Sequence, residues 1–139
     1  FITEENADLV PQYMRFIRGV VDSEDLPLNV SRETLQHNPM MAKIRESIVK
    51  RVLSELKKKG EEDEASYLTF WNNFGAVLKE GLCEGHSPRE QILEVCRFNN
   101  NLSEERTSLD AYISRMKEGQ ENIFYLTGEN LEAMRQSPQ

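Results

Sequence analysis

Residues 19–36 read GVVDSEDLPLNVSRETLQ, and this stretch separates two helical patterns. An apolar helix runs out at its start and another helical turn begins at its end. Between them, Asp22-Ser23-Glu24-Asp25-Leu26-Pro27-Leu28-Asn29 is acidic and interrupted by proline, which favours an extended loop over a helix. Ser31 fits as the cap of the following turn, which puts Arg32 in its first turn and Gln36 four residues on, along the same face. A cation at that position opposes the positive end of the helix dipole. Arg32 is thus poorly placed for helix stability and well placed to meet an anion that comes from elsewhere.

Working outward, Leu9, Tyr13, Phe16/Ile17 and Val20 recur at helical spacing, with Asp8 as a candidate N-cap and Pro11 in the first turn, where an amide hydrogen is not required. Upstream, Phe1-Ile2-Thr3 reads as the end of a strand. Downstream, Asn38-Pro39 is a start signal for a long helix to about residue 59. Its apolar stripe is Met41, Ile44, Ile48, Val52 and Leu56, its last turn is basic, and Gly60 is a fitting terminator. The acidic run 61–64 reads as a solvated surface or the start of the next helix. That helix, from about 65 to 80, carries Tyr67, Trp71, Phe74 and Leu78 on one face, a stripe more typical of a core than of a ligand box. Ser87-Pro88-Arg89-Glu90 fits a capping box before a helix with Ile92, Leu93 and Cys96, and Asn99-Asn100-Asn101 ends it. Thr107-Ser108-Leu109-Asp110 opens another short helix through Tyr112/Ile113 and Met116. The compact run Ile123-Phe124-Tyr125-Leu126-Thr127 predicts a strand buried on both faces, and a last helix spans about 130–136. The expected class is mainly α with a small α/β portion.

The chain has 139 residues, enough for one ordinary domain or two small ones, and a formal net charge of -7. Residues 1–59 contribute +1 and residues 60–139 contribute -8. A pI near 4.9 and the lack of a basic stripe argue against nucleic acid as a partner. No apolar run approaches the ~18–20 residues of a membrane span, so a membrane partner is not expected. Cys83 and Cys96 form no disulfide framework and, with His37 and His86, show no metal-ligand spacing; reduced thiols and no metal are the expectation. There is no phosphate-cradling GxxxxGK[ST] or GxGxxG loop and no Ser-His-Asp set, so the chain is not expected to bind or hydrolyse a nucleotide unaided. Phe1 opens the chain without an initiator Met, and Ser137-Pro138-Gln139 closes it without an obvious cap, so a fragment is expected.

Several long blocks carry a resemblance. VPQYMRFIRGVVDSEDLPLNVSRETLQ (10–36) resembles the catalytic-loop region in the middle segment of the ninety-kilodalton heat-shock chaperones. FWNNFGAVLKEG (70–81), TSLDAYISRMKEGQENIFYLTGE (107–129) and the closing Gln136-Ser137-Pro138 continue it, with weaker stretches at 57–65 and 82–105. FWNNFGAVLKEG and SRMKEGQ look most like the bacterial members. The resemblance implies three parts: 1–60 as the end of a larger α/β domain with a catalytic loop (22–36) and a long helix, 61–100 as a helical connector, and 101–139 as the start of a small, truncated α/β domain. It also implies that ATP with Mg2+ is held by a preceding nucleotide-binding domain, that a dimerising domain follows, and that the full-length protein is a cytoplasmic homodimer that handles client proteins.

By the same resemblance, Arg32 of the NxSRExxQ pattern reaches the γ-phosphate, Gln36 supports it and Asn29 is the loop asparagine. A planar guanidinium suits phosphate oxygens, and phosphoryl transfer depends mainly on positioning and charge stabilisation. Thr34 stands where the family commonly has a larger apolar residue, a change expected to affect packing. Leu26 and Leu28 either help the loop dock on the nucleotide domain or pin it to its own domain. Phe1 matches an aromatic of a client-binding surface; Trp71 is read as core. Two functions therefore compete: an element that completes a chaperone ATPase by donating Arg32, and a docking module with no part in hydrolysis.

Overall fold

In the computed structural model, which describes residues 9–24 and 38–138, Asn38 adopts extended backbone angles and its side-chain oxygen accepts the Met40 N–H at 2.9 Å. Pro39 takes the first helical position, where a missing amide hydrogen costs nothing. Helix α1 then runs Pro39–Glu62. Its seam is rotated from the predicted stripe: Met41, Val49 and Leu53 are buried, while Ile44, Ile48, Val52 and Leu56 are half-buried. A helix packed against two neighbours buries a band wider than one i, i+4 row, and the predicted stripe traces one edge of that band.

Gly60 does not end the helix. It stays helical and buried, and a side chain there would collide with Arg97, whose Nη2 lies 2.5 Å from where a Cβ would stand. The break comes at Asp63 (φ −148°, ψ 75°), which closes α1 and caps α2, its carboxylate accepting the Ser66 N–H at 3.1 Å. Helix α2 (Glu64–Lys79) buries Tyr67, Trp71 and Leu78, as its aromatic spacing predicts, whereas Phe74 is 40% exposed. A 3-10 turn, Glu80–Cys83, continues it.

The helix expected from residue 9 is reduced to a 3-10 turn, Gln12–Met14. Pro11 is extended (ψ 160°), so the chain enters its first turn only after the proline. Tyr13 and Met14 are nonetheless buried. Ser87 does not cap the next helix: its hydroxyl turns back to donate to the carbonyls of Gly81 and Glu84, and Pro88 takes the cap position of α3 (Arg89–Val95) without a side-chain bond. Two short helices follow, α4 (Leu109–Ile113), capped by Ser108, and α5 (Leu131–Arg135), capped by Asn130. The core joins Tyr13 and Met14 to α1, α2 and α3 through Leu53, Tyr67, Trp71 and Ile92.

The predicted strand at 123–127 and the α/β portion built on it are not present. Ile123, Phe124, Tyr125 and Leu126 are 39%, 74%, 82% and 50% exposed, and the segment carries no regular structure. Among the described residues, pairing is confined to an isolated bridge between Phe98 and Thr107. A strand is stabilised by its ladder partners. An apolar run without a ladder beside it stays irregular, so the described fold is helical.

Candidate functional site

Arg32, Gln36, Asn29, Leu26, Leu28 and Phe1 all lie outside the described residues. What the structure describes is how the chain on either side of 25–37 is fixed. On the far side, the fixed point is the Asn38 cap of α1. On the near side, Tyr13 sits in the core and packs on Gly81, where a Cβ would come within 2.9 Å of the Tyr13 ring. Arg15 follows with a two-pronged ion pair across 65 residues, Nη1 to Glu80 Oε2 at 2.6 Å and Nη2 to Glu80 Oε1 at 2.9 Å. Its Nη1 also donates to the Gln12 carbonyl at 2.9 Å. The hydrogen bond raises the Arg15 pKa and lowers that of Glu80. Phe16 then packs on Phe70 and Phe74, with ring centroids 5.4 and 5.2 Å away. From Arg18 to Asp22 the chain is exposed, Val20 by 88%.

A second constellation lies at the α1–α2 junction. Arg97, 7% exposed, bonds Glu64 in two places, Nε to Oε1 at 2.9 Å and Nη2 to Oε2 at 3.1 Å. Its Nη1 donates to the carbonyls of Val95 and Cys96, and its guanidinium lies 4.5 Å from the Tyr67 ring centroid. The Tyr67 hydroxyl, with its pKa raised chiefly by burial, donates to the Val95 carbonyl at 2.5 Å. These bonds occupy Arg97 and leave it little capacity for a ligand. The open groove beside it, about 440 Å³, is lined by both signs of charge, Arg106 and Arg115 together with Glu61, Glu105 and Asp110. It selects no ion of one sign.

Neither constellation was visible in the sequence, since both join distant residues. A hint lay in VCRF (95–98), where one arginine interrupts an apolar run and so needs buried partners. Cys96 is fully buried, and desolvation pushes its thiol pKa up to about 11, which makes it unreactive; Cys83 is exposed and both are free. Among the described residues no group of side chains has the makings of a metal site, and no helix is long and apolar enough to cross a membrane.

Comparison with known proteins defines the class. Residues 1–139, the whole chain, match the family described as Hsp90 protein, and the chain belongs to that family. It is 58% identical over 139 residues to the chaperone protein HtpG of Orientia tsutsugamushi, and 58% identical over 142 residues to that of Ehrlichia canis. With the HtpG of Anaplasma marginale it shares 59% over 143 residues. All of the chain is covered in each case, and it spans 22% of the length of each relative. The resemblance to heat-shock chaperones, read from the blocks at 10–36, 70–81 and 107–129, is thereby borne out.

Proposed function

We propose that this chain is part of the middle segment of an ATP-dependent chaperone and that Arg32 is its contribution to hydrolysis. In this reading Arg32 reaches the γ-phosphate of ATP held with Mg2+ by a preceding nucleotide-binding domain, with Gln36 and Asn29 supporting it and Leu26 and Leu28 guiding the loop. The whole protein acts on client proteins, to which Phe1 offers contact, and works in the cytoplasm as a homodimer through a following domain. The observation that carries the reading is the match along the entire chain, loop included, to relatives named as chaperones. The two fixed ends of the loop are consistent with it: a segment tethered on both sides to one helical core delivers a side chain within a bounded volume.

The test is ATP binding and steady-state hydrolysis by the full-length protein carrying Arg32→Ala. Binding should be kept, and turnover should fall towards the ~10³–10⁵-fold that a delivered arginine supplies in comparable sites. Unchanged turnover would refute the phosphate-directed role.

One observation favours the second reading, a docking module with no part in hydrolysis. Phe124, Tyr125 and Leu126 form a contiguous apolar run exposed by half or more. The same experiment separates the two, because a docking module would leave hydrolysis indifferent to Arg32.

A further inference from the structure

We infer that the outer face of α2 is a contact between two copies of this chain, paired antiparallel about a twofold axis at the level of Trp71. In a chain of which 29% is charged, α2 carries charge only at its two ends, Glu64 and Lys79. Its outer face, turned away from the core, is Ala65, Ser66, Thr69, Asn72, Asn73 and Ala76, all exposed. The solvent face of a helix is ordinarily charged, and depletion of charge marks the centre of an interface. The face is also flat. The Thr69 hydroxyl donates to the Ala65 carbonyl at 3.2 Å and Asn73 Nδ2 to the Thr69 carbonyl at 2.8 Å, so both side chains lie against their own helix. Phe70 and the partly exposed Phe74, with ring centroids 5.6 Å apart, give it an apolar border.

Charge selects the occupant. With a net charge of -7, two copies repel each other over most of their surfaces. The face of α2 is exempt, and its two ends complement each other. Glu62 and Asp63 are exposed at the N-terminal end, and Lys79 is exposed at the C-terminal end. Glu80, beside Lys79, is already held by Arg15. Antiparallel pairing sets Thr69 against Asn73 of the other copy and Ser66 against its Ala76, and in the same register Lys79 of each copy meets Asp63 of the other. Short side chains along the face let the two axes come within the 8–10 Å of packed helices. A contact made by one helix face falls short of the ~800 Å² per partner of a standard interface, so the pairing is weak and reversible.

The experiment is sedimentation equilibrium of the 139-residue chain, with Tm read for each variant. The chain should dimerise with a Kd on the order of 0.1 mM, as suits an interface below standard size, so measurements run to about 1 mM. Asn73→Glu places like charges on the two facing surfaces and should raise Kd at least about tenfold, while Tm stays within about 2 °C. Lys79→Glu, at the rim, should raise Kd about two- to fivefold, and it decides the matter should Asn73→Glu fail to fold. Phe124→Ser, in the exposed run outside α2, should leave Kd unchanged. A chain that stays monomeric throughout overturns the inference and leaves the face to a different protein. So does a dimer indifferent to both α2 variants, or one that Phe124→Ser abolishes, since the contact would then lie at 123–126.

Discussion

Two regions of the chain contrast. Residues 10–98 gather every buried apolar side chain described, with Tyr67, Trp71, Leu78 and Ile92 at 0–1% exposure. Residues 99–138 contain none, and their helices α4 and α5 bury no residue at all. Both regions use sound local chemistry: Ser108 and Asn130 cap their helices as well as Asn38 caps α1. The difference is that caps start helices while apolar partners hold them, and an isolated helix of five residues is far below the ~12–15 at which helices become marginal in water. The first region has a core of its own. The second is held by hydrogen bonds, such as the Tyr112 hydroxyl accepting from Gln120 Nε2 and from the Phe124 N–H, each at 3.1 Å.

The largest blow to the contrast would fall on Trp71. It is 1% exposed, stacks at 6.5 Å on Tyr67, and closes against Gly75 one turn on. Trp71→Ala should cost about 3–5 kcal/mol in chemical unfolding of the chain, as large-to-small changes of buried aromatics do. Trp71→Phe should cost less. Among the described residues the indole N–H meets no acceptor, so its removal relieves an unsatisfied donor and offsets part of the lost packing. A cost for Trp71→Ala near that of a surface change would mean the first region lacks the rigid core described.

Arg97 comes next, because it ties the α1–α2 junction to the end of α3. Arg97→Ala removes donors from the Val95 and Cys96 carbonyls and leaves Glu64 unpaired, for an expected loss of about 1–3 kcal/mol by the cost of orphaned buried acceptors. The Tyr67 hydroxyl still serves Val95, which keeps the effect below that of Trp71. Arg97→Lys should recover only a fraction, since an ammonium cannot reproduce the fork to Glu64 while also reaching two carbonyls. Equal stability of the Ala and Lys variants with wild type would show the junction to be held by packing alone.

What the sequence made legible follows the same line. Asn38-Pro39 is readable because a cap is decided by two or three neighbouring residues. The starts of α4 and α5 are readable in place, while Ser108 and Asn130 emerge as their caps only in the structure. The aromatic face of α2 is readable because its partners lie at helical spacing. Pro11 and Ser87 were misread because each had a second local option: extended backbone before the turn, and a hydroxyl bonded backward to carbonyls. The run 123–127 was misread because strand propensity says nothing about whether a partner strand exists. Of the site, the sequence supplied Arg32, Gln36 and Asn29 by resemblance, and they lie outside the described residues. It was silent on Arg15 with Glu80 and Arg97 with Glu64, pairs 65 and 33 residues apart that only the tertiary fold brings together.

The smallest expected effect sharpens the contrast most. Tyr125 is 82% exposed within the β-prone run, with no core behind it. Tyr125→Ser should change the stability of the chain by no more than about 0.5 kcal/mol, the range of surface substitutions without special contacts. Hydrogen exchange should agree: amides of 123–127 should exchange orders of magnitude faster than those of Val49 and Leu53, which sit mid-helix in α1 against the core. A cost above about 1.5 kcal/mol would exceed that surface range. With slow exchange across 123–127, it would show the run to be covered in solution, and the second region would then owe its stability to apolar burial, as the first does.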